Sequence, residues 1–299
     1  MKRLSLLLTF VVAAAVLGSA SASAQEKEKV VTGTITLLTP TKVTVLDEFI
    51  SSQQYTGGKV FNGFNVRLGA IYRNHDNLSW DLYYTGFNRA KTLEENAGKI
   101  LQKLENPAKS QSLKYSSYNV GYGTYYHWQF GEKLMLKTGG LFDLYGGMKT
   151  STPDGVNNAT NLDGQIMLKS HTAIKYGWDF KKWGLDFRAH VSIPVMGLMI
   201  ADHPSESAVS IIGANDHSIQ NPNYRHIFMA FYHNYMSLDY ELGVDFVFKP
   251  CTLTLGLGGT SKRWNVYDIQ NIRKINYMTL GVAFDIVSRD KFKSTNRNF

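Results

Sequence analysis

The chain has 299 residues, of which 43% are hydrophobic, 13% aromatic and only 19% charged, whereas about a quarter of an average soluble domain is charged. Twenty-six glycines, seven prolines and far more Tyr and Phe than Trp suit short strands and turns, and they exclude a disordered or collagen-like chain. The formal charge of +8 points toward nucleic acid only if it survives processing of the chain.

Residues 1–24 carry Lys2 and Arg3, an apolar stretch from Leu6 to Leu17, and Ala22-Ser23-Ala24 before Gln25. That is the layout of a secretory signal cleaved after Ala24, and its apolar stretch is shorter than the roughly 20 residues that a helical anchor needs. Residues 25–299 are then expected to form a single domain. Losing Lys2 and Arg3 leaves 30 basic against 24 acidic residues, a net of +6, and no nucleic-acid partner is expected. Cys251 is the only cysteine, which excludes an internal disulfide and lipid attachment at an N-terminal cysteine. No later segment offers 18 consecutive apolar residues, so the choice lies between a soluble all-β domain and an outer-membrane barrel.

In chain order, the first strand is expected near 30–46, where Pro40 interrupts the pattern, followed by strands near 61–73 and 78–87. Thr92 and Glu95 then form a capping box, and Leu93, Ala97, Ile100, Leu101 and Leu104 recur at helical spacing up to Pro107, which predicts a helical insert near 92–105. Beyond it, period-two alternation dominates. Tyr118, Val120, Tyr122, Thr124, Tyr126 and Trp128 oppose Asn119, Gly121, Gly123, Tyr125 and His127. Ile166, Leu168, Ile174, Tyr176 and Trp178 share one face, and Lys169, His171, Lys175 and Asp179 the other. Leu185, Phe187, Ala189, Val191, Ile193 and Val195 alternate with Asp186, Arg188, His190 and Ser192, and the run from Leu238 to Phe248 repeats the pattern. Such alternation marks β-strands.

These runs are about twelve to fifteen residues long, whereas sandwich strands average about five or six, so length favours a membrane barrel. Tight connections at 74–77, 129–132, 181–184 and 249–250 alternate with long ones at 88–114, 149–164, 198–233 and 264–273. This is the asymmetry of outer-membrane barrels, with short periplasmic turns and long extracellular loops. The strands fall near 30–46, 61–73, 78–87, 115–128, 132–147, 165–180, 184–197, 235–248, 251–263 and 274–287. The expectation is an all-β, antiparallel transmembrane β-barrel of ten strands; twelve is the alternative if Pro40 splits the first or 225–235 pairs. Tyr72, Trp80, Trp128, Trp178, Phe180, Trp183, Phe246 and Phe248 cluster at the tight turns, where amphipathic rings prefer the headgroup level.

Val45-Leu46-Asp47-Glu48-Phe49-Ile50 leading to Gln54-Tyr55-Thr56-Gly57, together with Ile193-Pro194-Val195-Met196-Gly197, resembles an uncharacterised family of Bacteroidota-type outer-membrane β-barrels catalogued as a domain of unknown function. The resemblance runs from about 43 to 287 and implies a Gram-negative outer-membrane location. It carries no functional residues with it.

Alternation places Arg67, Lys137, Lys169, Lys175 and Arg188 on the inward face with Asp81, Asp143, Asp179, Asp186, Asp239, Glu241 and Asp245. Such charges either select solutes in a narrow conduit or pair with one another in a filled interior, and the mixed sign favours the filled interior. His190 and Ser192 have a spacing seen in lipid-A deacylases, but both belong to the inward face, away from lipid substrates. Asp202-His203, Glu206 and Asp216-His217 carry metal-ligand side chains without a fixed spacing, and the Gly256–Lys262 stretch lacks the spacing of a phosphate loop. No metal, cofactor or catalytic set is therefore expected. Lys91, Lys99, Lys103 and Lys109 around the insert suit lipid phosphates. The expected partners are outer-membrane lipids, with lipopolysaccharide or an envelope protein as further candidates. The function expected is a non-enzymatic structural or partner-binding barrel or narrow solute conduit, with a lipid-modifying hydrolase as the alternative.

Overall fold

The computed structural model describes residues 29–47, 51–57, 62–72, 78–88, 93–95, 112–152, 160–201, 226–231, 234–248, 251–266 and 269–287. The signal region therefore lies outside the described residues. The strands are β1 (Lys29–Asp47), β2 (Ser51–Gly57), β3 (Asn62–Tyr72), β4 (Leu78–Asn88), β5 (Leu93–Glu95), β6 (Ser112–Phe130), β7 (Leu134–Thr152), β8 (Thr160–Asp179), β9 (Trp183–Ala201), β10 (His226–Ala230), β11 (Tyr235–Phe248), β12 (Cys251–Val266) and β13 (Ile269–Val287). Ten of these, β1, β3, β4, β6, β7, β8, β9, β11, β12 and β13, each pair antiparallel with the next, and β13 returns to β1 to close the ring. The protein is an antiparallel transmembrane β-barrel of ten strands.

The barrel is inside out relative to a soluble domain. Leu242, Leu257, Ile193, Met278 and Phe284 are exposed on its outer face, while Lys137, Lys169 and Lys175 are among its most buried side chains. An apolar surface this extensive is unfavourable in water and is satisfied by hydrocarbon. Rings crowd the turn end of the wall: Tyr126 against Trp128, Tyr176 against Trp178, Trp178 against Phe187, and Phe180 against Trp183 at 4.3 Å. In the tight turn between β6 and β7, Gly131 supplies a positive φ of 65°.

Strands of 19 or 20 residues in β6 to β9 are longer than expected. At about 3.3 Å per residue and a tilt of about 40° they rise close to 50 Å, about twice the apolar band of a membrane barrel. The ladder continues beyond the membrane because strand pairing satisfies backbone N–H and C=O groups in water as well as in lipid. Two connections expected to be long are therefore short. β7 reaches Thr152 before β8 starts at Thr160, and Val266 pairs with Ile269 across the expected 264–273 loop.

Both proline irregularities are β-bulges. The register of β1 on β13 shifts between Pro40 and Lys42, leaving Thr41 as the extra residue, and that of β9 on β8 passes from Pro194 to Met196, leaving Val195 extra. A bulge has a place for a residue without an N–H, so Pro40 does not split β1. Each bulge also inverts the alternation. Ile35 and Leu37 face out whereas Val43 and Val45 are fully buried, and Ile193 and Val195 face out whereas Met199 is buried.

Near the insert the expectation of a helix from Thr92 is overturned for its first turn. Leu93–Glu95 is the strand β5, which pairs with Tyr55 and Thr56 of β2 on one side and with Leu113 and Ser112 of β6 on the other. At the loop end β2 and β5 thus occupy the ring positions that β3 and β4 hold nearer the turns. The edges of β1 and β6 that outrun β3 and β4 need partners, and that demand outweighs a local capping box. Residues 96–111 lie outside the described residues. Similarly, β10 pairs with Gly197 to Ala201 of β9 just beyond β11, which holds the same edge from Trp183 to Ser192. Asn234 marks the break, its amide donating to the Met229 carbonyl and its side-chain oxygen accepting from the Phe231 N–H, both at 2.8 Å. β10 prolongs an existing wall and adds no eleventh or twelfth strand.

Candidate functional site

The inward faces meet in a network of ion pairs. Lys137 on β7 reaches Asp81 on β4 at 3.2 Å, and Lys169 on β8 bonds to Asp143 on β7 and, at 2.8 Å, to Asp239 on β11. Lys175 pairs with Asp186 at 2.8 Å, and Arg188 holds both Glu241 at 2.6 Å and Asp245 at 3.0 Å. Hydroxyls and amides complete the carboxylates: Tyr125 donates to Asp81, Tyr83 and Asn119 to Asp143, and Thr260 to Asp239. Small inward glycines make room for these rings. A Cβ on Gly121 would lie 2.3 Å from the Tyr83 ring, and one on Gly123 would lie 1.8 Å from the Tyr125 hydroxyl. Lys137 also stands 4.0 Å from the centre of the Tyr125 ring, a cation–π contact in a dry setting.

Eleven of the charges read from alternation, Arg67, Asp81, Lys137, Asp143, Lys169, Lys175, Asp186, Arg188, Asp239, Glu241 and Asp245, stand within this interior, buried or half-buried. Asp179 does not. It is exposed at the last position of β8, beside the turn, because the pairing of Asp179 with Gly184 falls beyond the filled interior. Four further charges lie inside that the sequence reading had missed: Lys149 with Asp163 at 3.7 Å, Lys262 and Arg273. Lys149, Asp163 and Arg273 sit on strand extensions, where alternation continued past 147 and back beyond 165 and 274 was the signal, whereas Lys262 lies within the expected 251–263 strand on the inward face of Thr252 and Thr254. Among the described residues the interior holds eight cations and seven carboxylates, so the two signs are close to balanced.

Toward the loop end apolar and aromatic side chains reach across the lumen. Leu38, Val43, Val45, Phe87, Tyr115 and Ile275 form a buried apolar cluster with Tyr277 packed against it. Next to it, Arg273 on β13 donates to the Tyr115 hydroxyl on β6 at 2.6 Å, bridging opposite walls, and Tyr115 meets the Tyr145 hydroxyl at 3.2 Å. Arg273 and Lys262 each stack 4.0 Å from the Tyr145 ring centre, and Lys262 also donates to Gln165 at 3.2 Å. Sequence reading placed none of these apolar residues inside, although Phe87 continues the inward face of Asp81 and Tyr115 that of Asn119 to His127; only Val43 and Val45 are turned inward by the Pro40 bulge.

Below this cluster lies a cavity of about 160 Å³, bounded by Leu38 and Ile275 at the loop end, by Arg67, His190 and Glu241 at its waist, and by Thr32 and Thr252 toward the turns. Ser192 lines it, but its hydroxyl bonds to Nδ1 of His171 at 2.8 Å, whereas His190 packs its ring 5.5 Å from that of His171. The His-x-Ser pair is therefore not a nucleophile with its base. Among the described residues no carboxylate hydrogen-bonds His171 to orient it, as a hydrolase would require. His127 bonds to Ser79 and Met135 in the same polar interior. The Gly256–Lys262 stretch is the middle of β12, where Gly256 and Gly258 admit Glu241 and Tyr277, and not the loop before a helix that a phosphate cradle uses. No group of three His, Cys, Asp or Glu suited to a metal occurs among the described residues, and Asp202, His203, Glu206, Asp216 and His217 lie outside them.

Among solved structures, the chain is similar to the outer membrane protease OmpT from Escherichia coli, with a TM-score of 0.50 and 7% identity over 88% of this chain and 99% of that one. It also matches the translocator domain of autotransporter NalP from Neisseria meningitidis (TM-score 0.39, 10% identity, 94% and 96% covered). A third match is the COG4313 outer membrane channel from Pseudomonas putida F1 (TM-score 0.39, 11% identity, 89% and 98% covered). The first of these likenesses supports the barrel fold alone. No curated protein matches the chain. A family model described as "Protein of unknown function (DUF3316)" matches residues 3–289, nearly the whole chain, and the protein belongs to that family.

Proposed function

We propose that the protein is a sealed barrel of the Gram-negative outer membrane, a structural or partner-binding element of the envelope, neither an enzyme nor an open conduit. The observation that carries this reading is the bridge from Arg273 to Tyr115 across the lumen, backed by the apolar cluster from Leu38 to Ile275. A ten-stranded barrel is only slightly wider than the eight-stranded ones whose interiors side chains fill completely. The apolar outer face and the turn-end aromatic rings support residence in a bilayer, and the layout of residues 1–24 supports export with cleavage after Ala24. Membrane lipid covers the outer face in this reading, with lipopolysaccharide or an envelope protein engaging the strand extensions.

The test is conductance in planar bilayers. Wild-type protein should give no discrete channel events, whereas a variant with Tyr115→Ala and Arg273→Ala should open the loop end and conduct. Steady wild-type conductance would overturn the sealed reading.

A further inference from the structure

Arg67 is the interior cation that the network leaves over. It projects from β3 opposite Tyr83 on β4. Among the described residues it has no ion pair and no side-chain hydrogen bond; the Tyr83 ring centre lies 5.9 Å away, and its Nε is buried without a partner. The other interior cations are all matched. Lys137, Lys149, Lys169, Lys175 and Arg188 have carboxylates, and Lys262 and Arg273 have polar oxygens and the Tyr145 ring. Arg67 is half-buried with its Nε fully so; an unmatched charge in such a setting is costly, and an anion drawn from solvent is the simplest way to match it.

Arg67 faces the cavity of about 160 Å³. On the wall of that cavity Thr32 also keeps a buried hydroxyl with no partner, a second polar group left for a ligand. A cavity of about 150 Å³ takes benzene, so the space admits a molecule of about six non-hydrogen atoms. The planar guanidinium fork matches a carboxylate through two parallel hydrogen bonds. Asp239, Glu241 and Asp245 line the same space, each already held by a cation, so the charge left to match on this wall is the single one of Arg67, which one carboxylate satisfies. Leu38 and Ile275 offer an apolar wall for a short alkyl group.

We propose that this cavity binds a short monocarboxylate of up to about six heavy atoms, with its carboxylate on Arg67. The inference goes beyond the sealed-barrel reading and stands whether or not the barrel conducts, since the two are measured separately. Calorimetric titration of the purified chain in detergent with acetate, butyrate and inorganic phosphate tests it. Both carboxylates should bind saturably and phosphate more weakly. Arg67→Gln should lose at least about tenfold in carboxylate affinity, the effect of one charge-assisted contact, while Arg67→Lys, which keeps the charge without the fork, should fall between. Absent carboxylate binding by wild type, tighter binding of phosphate, or undiminished affinity in Arg67→Gln would each overturn the proposal. If Arg67→Gln does not refold, undiminished affinity in Arg67→Lys overturns it instead.

Discussion

Replacing Lys169 with Met removes the one cation shared by two carboxylates. Lys169 is 1% exposed, its partner Asp143 is fully buried, and Asp239 is 25% exposed. Breaking a buried pair by deleting one partner typically costs about 3–5 kcal/mol, because a charge is stranded away from water. Here the orphaned groups keep other donors: Tyr83 and Asn119 at 2.8 and 2.7 Å on Asp143, and Thr260 at 2.5 Å on Asp239. The lower end, about 3 kcal/mol, is therefore expected, which corresponds to a fall in Tm of roughly 6–12 °C for a chain of this size. Asp143→Asn added to Lys169→Met removes one stranded charge and should recover about 1–2 kcal/mol. Equilibrium unfolding of the refolded barrel in detergent, followed by tryptophan fluorescence, measures both. A single variant within about 1 kcal/mol of wild type, or a double variant no better than the single, would refute the claim that the interior charges are held by mutual pairing.

Three further outcomes follow from the wall itself. Cysteines introduced one at a time over 185–199 should label from the lipid side at odd positions up to 195 and then at even positions, 196 and 198, because the bulge at Val195 inverts the pleat; unbroken odd-position labelling would contradict the bulge. Leu242, 61% exposed in the middle of β11, should cost about 2–4 kcal/mol when replaced by Arg, read as a shifted unfolding midpoint, whereas a neutral result would place this face outside the bilayer. Gly139→Ala should destabilise by about 1–3 kcal/mol, since its Cβ would sit 2.1 Å from the Thr124 carbonyl oxygen, which as backbone cannot swing aside; wild-type stability would contradict that packing.

Alternation was the most legible feature of the sequence. A strand buried against lipid on one side and against packed charges on the other has to repeat every two residues, so the pattern from Tyr118 to Trp128 or Leu185 to Val195 specifies both the strand and its inward side. Strand number and closure followed from counting turns. The helix expected from Thr92 failed where it was described, because a capping box and helical spacing are local preferences, while β5 answers to the unpaired edges of β1 and β6. The loop ends failed similarly, since ladder pairing outside the membrane leaves a weaker apolar signal than a lipid-facing strand.

The sequence by itself thus determined the membrane wall and which charges turn inward. Only the tertiary structure decided how those charges are used, for a physical reason: partner choice depends on strand stagger around a closed ring, which no single strand encodes. Arg273 meets Tyr115 across 158 residues of chain, and Lys169 finds Asp239 across 70. The same closure leaves Arg67 beside a cavity with no carboxylate of its own.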